Sequence, residues 1–157
     1  MPYEFTVQRR VEFSETDLAG IVHFSNFFRY MEAAEHAFYR SLGFSATLDH
    51  LDPPLGLPRV RVECEYRHPL RFEDTVEVHM LVKAKRAKVI TYLFRFGNLS
   101  ATPVVQAAHG SMTVVCVVRQ RDGSFAATGL PAEIASRIEV APAELLEHHE
   151  RHAPRRE

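Results

Sequence analysis

The sequence predicts an α+β domain: an antiparallel sheet of five to six strands wrapped around one long central helix. Three observations carry this. From Phe24, the residues Phe27, Phe28, Met31, Ala34, Phe38 and Leu42 recur with the 3.6-residue period of a helix, while Arg29, Glu32, His36 and Arg40 fall on the opposite face. Most of the remaining regular chain alternates apolar and polar residues with the period of two that marks a half-buried strand. Those strand-like segments are joined mainly by short turns, which favours antiparallel neighbours, and the wide apolar stripe of the helix needs a sheet to cover it.

The elements follow in order. Tyr3, Phe5, Val7, Val11 and Phe13 alternate with Glu4, Thr6, Gln8, Arg10 and Glu12, giving a first strand. Residues 14–23 form a turn and a link. The helix follows, with Ser25 placed to cap its start and Gly43 placed to end it. Residues 45–58 hold three prolines and read as a loop. Val60, Val62, Cys64 and Tyr66 form the inward face of the next strand, followed by Val76, Val78, Met80 and Val82, then Ile90, Tyr92, Phe94 and Phe96. The run Lys83 to Lys88 reads as the basic end of a hairpin. Val104 to Val118 reads as one long apolar strand, placed centrally or at an edge that pairs with a second subunit. Asp122-Gly123 marks a hairpin, and 131–138 and 142–152 are short helical candidates.

The chain has 157 residues, of which 46% are hydrophobic and 25% charged, so a single domain spans 1–157, with 140–157 a C-terminal tail or short helix. The net charge of -1 gives no basic field for nucleic acid or a membrane surface. No apolar run reaches membrane-spanning length and the N-terminus has no signal-peptide core, so a cytoplasmic location is expected. Cys64 and Cys116 sit in apolar strands without a Cys/His cluster and read as buried thiols. The nine histidines show no ligand spacing on an ordered element, so no metal site is expected.

Asp17 lies in the turn before the helix. A helix N-terminus offers unpaired N–H groups and partial positive charge that can hold a developing oxyanion, and a carboxylate just before it can attack a carbonyl or activate a water. The same aspartate can equally serve as a turn cap. Gly20 either lets a substrate approach the backbone or supplies a positive φ. His23 is placed to assist proton transfer or to line a pocket, and His36 projects to solvent. Glu35 falls inside the apolar stripe, so it needs a buried partner, an interface or a pocket to face. Lys83, Lys85, Arg86 and Lys88 either hold phosphates or form a solvated turn. A Gly-rich phosphate loop, a GxSxG and a Ser/His/Asp spacing are all missing.

The segment RVEFSETDLAGIVHFSNFFRYMEAA resembles the hotdog-fold acyl-CoA thioesterases of the 4-hydroxybenzoyl-CoA thioesterase type, including the YbgC-like branch. Phe13, Glu15, Asp17, Ala19, Gly20, Ile21, Val22, His23, Phe24 and Asn26 carry the pattern, supported by Pro58, Tyr66, Pro69 and Asp74. The resemblance implies hydrolysis of an acyl-CoA, aromatic or of short to medium chain, to the acid and CoA. It implies Asp17 as nucleophile or general base, a helix-start amide near Phe24 that polarises the carbonyl, and Gly20 beside it. His23 and Phe24 stand where the YbgC-like branch usually has Tyr and His. Phe27 and Glu35 are expected at the acyl group, and Lys85, Arg86 and Lys88 near the CoA phosphates. No metal or redox cofactor is implied, CoA being part of the substrate. A homodimer or homotetramer with active sites between subunits is implied. The alternatives are a non-catalytic acyl-CoA-binding protein of the same fold and a thioesterase acting on acyl carrier protein.

Overall fold

The structure, a computed structural model, describes residues 1–151; of the frayed end expected over 148–157, residues 148–151 are helical and the rest lies outside the described residues. Its elements are β1 (Glu4–Arg10), a short 3-10 turn (Phe13–Glu15), α1 (Asn26–Ser41), β2 (Leu55–Gly56), β3 (Arg59–Tyr66), β4 (Thr75–Lys85), β5 (Val89–Asn98), β6 (Val105–Val115), β7 (Val117–Arg119), β8 (Phe125–Ala127), α2 (Ala132–Ala135) and α3 (Ala143–Arg151). The main sheet is antiparallel, in the order β1-β4-β5-β6-β3.

α1 lies across one face of this sheet. Its buried residues are Phe27, Tyr30, Met31, Ala34, Glu35, Phe38 and Tyr39. They meet Val76, Val78, Met80 and Val82 of β4, Ile90, Tyr92, Phe94 and Phe96 of β5, and Ala108, Met112 and Val114 of β6 in one core. Each fully buried large side chain there contributes about 1.5–3 kcal/mol. Gly110 of β6 makes the close approach possible. A Cβ at this position would come within 2.5 Å of the Met31 terminal methyl and 2.3 Å of the Glu63 carbonyl oxygen. On the far face of the sheet, α3 lays Leu145 and Leu146 on Leu81 and Leu93.

Several expectations are corrected. Of the two placements expected for the long apolar strand the central one holds and the edge does not: β6 is flanked by β5 and β3, and the two edges of the sheet are β1 and β3. The run 104–118 is broken at Cys116, after which β7 joins β2 and β8 in a separate small sheet, so part of the proline-rich loop is strand after all. On β3, Val62, Cys64 and Tyr66 do face the helix side, since they lie opposite Met112, Gly110 and Ala108. Yet Val60, Val62 and Tyr66 stay exposed because α1 lies over the centre of the sheet and leaves this edge uncovered. Phe13 is also exposed, since the strand ends at Arg10 and the 3-10 turn breaks the alternation.

Candidate functional site

The turn carrying Asp17 is built from its own backbone. The Asp17 N–H donates to the Ile21 carbonyl at 2.8 Å, the Gly20 N–H donates to the Asp17 carbonyl at 2.9 Å, and Thr16 bridges to Val22. The Asp17 carboxylate accepts the Ala19 N–H through Oδ1 at 2.9 Å. This is the local side-chain turn that Asp favours, and among the described residues Oδ2 has no partner. Gly20 has φ +78°, and nothing lies within 4 Å of where its Cβ would be. The turn therefore needs glycine for backbone geometry, while the space beside it is open.

His23 and Phe24 follow at the foot of α1. The His23 Nδ1 lies 2.7 Å from the Ser25 hydroxyl, and its ring stacks on Phe24 with centroids 4.5 Å apart. Ser25 occupies the cap position but spends its hydroxyl on His23 instead of on a helix amide. The Phe24 carbonyl accepts the Tyr66 hydroxyl at 3.0 Å. Among the described residues no acceptor takes the Phe24 N–H. An open carboxylate oxygen, an imidazole and a free amide at a helix N-terminus thus share one short stretch of chain. These groups can bind a carbonyl, activate a nucleophile and shuttle a proton.

The other sequence-derived candidates do not gather here. Phe27 is buried, with Tyr66, Phe96 and Tyr30 around its ring at 5.1, 5.2 and 6.0 Å, so it is core. Glu35 is 1% exposed. It is paired with Arg59 and accepts the Tyr39 hydroxyl at 3.0 Å, which in turn lies 2.5 Å from the Tyr92 hydroxyl. Burial pushes its carboxyl up to about 7, opposed by Arg59 and by the Tyr39 bond. This answers the sequence puzzle by buried partners, the Arg59 guanidinium and the Tyr39 hydroxyl. Lys85 donates to the Ala135 and Ile138 carbonyls, both at 2.6 Å, and so anchors α2. Arg86 and Lys88 stay exposed at the β4–β5 turn. Burial pushes the Cys64 thiol up to about 12, which removes it as a nucleophile at neutral pH. Among the described residues no group of three or more His, Cys, Asp or Glu is arranged to hold a metal ion.

Residues 11–146 match the family model described as the thioesterase-like superfamily. The chain belongs to that superfamily. A curated Aquifex aeolicus relative is 46% identical over 76 residues, 48% of this chain and 59% of its own. The 1,4-dihydroxy-2-naphthoyl-CoA hydrolase of Prochlorococcus marinus is 28% identical over 97 residues, 57% of this chain and 65% of its own. The chain thus spans about three fifths of the length of these two relatives. The 4-hydroxybenzoyl CoA thioesterase from Pseudomonas sp. strain CBS-3 superposes with a TM-score of 0.77 at 20% identity, over 86% of this chain and 99% of that one. The fold is the hotdog fold of these thioesterases.

Two further features of this thioesterase-like domain bear on the site. The first is that the site is open in a single chain. Leu18, Phe24, Phe13 and Phe72 are all exposed around the Asp17 turn, and a cavity of about 500 Å³ lies elsewhere. It opens on the outer face of the sheet, beside Lys83, His109 and Glu150; of the basic run it borders Lys83, and it does not border Asp17, Gly20, His23 or Phe24. Its volume marks a groove under α3, lined by His149 and Glu150. The second is the set of side chains behind the turn. Arg9, on the helix-facing side of β1, is paired with Glu15 and lies 4.3 Å above the Tyr30 ring. Arg9 stands at a core-facing strand position, and that misplaced charge was the available signal.

Proposed function

We propose that this chain is an acyl-CoA thioesterase that hydrolyses an aromatic or short- to medium-chain acyl-CoA to the acid and CoA. The observation that carries the reading is Asp17, held by its own turn with one carboxylate oxygen unpartnered, just before the helix that begins at Asn26. In this reading the thioester oxygen sits at the free Phe24 amide, where the helix N-terminus favours the charge that develops. Asp17 attacks the carbonyl carbon, giving a mixed anhydride that water then cleaves, or takes the proton of a water that attacks directly. On either route the C–S bond breaks and the CoA sulfur leaves as a thiolate that takes up a proton. The cationic Arg86 and Lys88, exposed at a turn, are suited to the CoA phosphates. CoA belongs to the substrate, and the chemistry calls for no further cofactor.

The reading includes a homo-oligomer that closes the site. The β3 edge supports it: this strand pairs with β6 on one side only and exposes Val60, Val62 and Tyr66, and the Tyr66 hydroxyl donates to the Phe24 carbonyl. The test is thiol release from a panel of aromatic and aliphatic acyl-CoAs, run beside Asp17→Asn. Turnover in the wild type and its loss in the variant is the expected result. Binding without turnover overturns the enzymatic reading in favour of an acyl-CoA-binding protein.

A further inference from the structure

Behind the Asp17 turn one residue gathers an unusual number of hydrogen bonds. The Glu15 carboxylate accepts the Arg9 Nη2–H at 2.5 Å, the Tyr30 hydroxyl at 2.7 Å and the Glu12 N–H at 2.9 Å. Its backbone carbonyl accepts the His23 N–H at 2.9 Å and the Asn26 side-chain amide at 2.8 Å. Its side chain is only 14% exposed. The partners come from three places: Arg9 from β1, Glu12 from the chain before the 3-10 turn, and His23, Asn26 and Tyr30 from the foot of α1.

Taking the reading of Asp17 as the reacting carboxylate, we propose that Glu15 is a positioning residue that sets Asp17 relative to the amide at the foot of α1. The geometry gives the reason. Asp17 lies two residues after Glu15, and His23, on the far side of the turn, is hydrogen-bonded to the Glu15 carbonyl. Both reacting partners are therefore referenced to one residue. The backbone of the turn closes on itself through Thr16–Val22 and Asp17–Ile21, so it can move as a unit unless something ties it to the fold. Val22, buried in the core, ties one side of the turn through its N–H to the Leu70 carbonyl at 2.8 Å, and the Glu15 carboxylate ties the side that carries Asp17, to a strand and to a buried helical tyrosine. Burial, with the neighbouring Glu15, raises the Tyr30 phenol above its ordinary value, so it remains a hydrogen-bond donor throughout the working pH range. Arg9 over the Tyr30 ring completes the clamp with a cation–π contact. Such a clamp matters because misplacement of a reacting group by a fraction of an ångström costs rate while leaving binding intact.

The experiment measures kcat, KM and Tm for Tyr30→Phe, Glu15→Gln and Glu15→Ala, each in the wild-type and Asp17→Asn backgrounds. Tyr30→Phe removes one hydrogen bond but keeps the ring and its contact with Arg9, so it stays informative even where Glu15→Ala does not fold. The expected result is a fall in kcat of about fivefold for Tyr30→Phe and about a hundredfold for Glu15→Ala, with Glu15→Gln between and KM within about twofold. Because Glu15 acts through Asp17, the paired substitution Glu15→Gln with Asp17→Asn loses no more rate than Asp17→Asn alone. Variants that lower Tm but keep the wild-type kcat overturn the proposal, leaving Glu15 a structural residue. Losses that multiply in the paired variant overturn it too, because Glu15 then acts independently of Asp17. Wild-type turnover in Asp17→Asn overturns the Asp17 reading itself and this inference with it, an outcome recognisable without the Glu15 variants.

Discussion

Asp17 and Glu35 are both carboxylates associated with α1, and the structure treats them in opposite ways. Asp17 sits in an open turn, where among the described residues its carboxylate accepts the Ala19 N–H, with apolar side chains exposed around it. Glu35 lies two and a half turns up the helix, 1% exposed and enclosed by Arg59, Tyr39 and Tyr92. The first has room for a substrate and spare hydrogen-bonding capacity. The second has neither. A carboxylate on an apolar stripe is thus a sign of burial with partners, whereas one at a helix foot keeps the open access and spare acceptor capacity that the proposed chemistry requires.

The sharpest way to break this contrast is Asp17→Asn, which is expected to lower kcat by about a hundredfold or more while Tm stays within about 2 °C of wild type. A thiol-release assay beside a thermal melt reads both. Glu35→Ala should behave in the opposite way. It leaves Arg59 without its buried partner and costs about 3 kcal/mol of stability by denaturant unfolding, with kcat for the folded fraction unchanged. A large kcat loss in a variant of wild-type stability would transfer Glu35 to the active site.

The pH dependence sharpens the same comparison. The folded chain holds the Glu35 proton up to about pH 7, whereas the unfolded chain releases it near 4.5. The resulting stabilisation is fully present below about pH 4.5 and is lost as pH rises through 7. Glu35→Gln should therefore flatten the stability profile between these limits, by about 3 kcal/mol at most. Identical slopes in the two proteins would show Glu35 ionised throughout. The smallest expected effects concern the basic hairpin. Arg86→Ala should raise KM for acyl-CoA about fivefold with little change in kcat. Lys85→Ala should leave KM alone and cost about 1–2 kcal/mol of stability, because its ammonium serves the α2 carbonyls. Equal KM effects would mean that the two cations act together on the substrate.

Much of the architecture was legible because it rests on local periodicity. The period of 3.6 placed α1 within two residues of its observed start, and the period of two placed β1, β3, β4 and β5. Positions that depend on neighbours were not legible. Val62 and Tyr66 alternate like core residues, yet their burial depends on how far α1 extends across the sheet. Val105–Val115 is apolar enough for either a centre or an edge, and only strand order decides that it is flanked on both sides. For the candidate site, Asp17, Gly20, His23 and Phe24 are adjacent in sequence, so one local turn brings them together. Phe27, Glu35 and Lys85 were read as substrate contacts because their types suit such roles, and the structure gives each of them an intramolecular partner.

By itself, the sequence determined one long amphipathic helix, an antiparallel sheet to cover it, and an acidic turn at the foot of that helix. All of these follow from residue spacing along a few turns or a few strand positions. Only the tertiary structure decided which carboxylate is buried and which is open, which lysine is spent on carbonyls, and that Arg9, Glu15 and Tyr30 form a clamp behind Asp17. The reason is physical: these outcomes depend on dielectric surroundings and hydrogen-bond partners supplied by residues distant in the chain, and local periodicity carries no record of them.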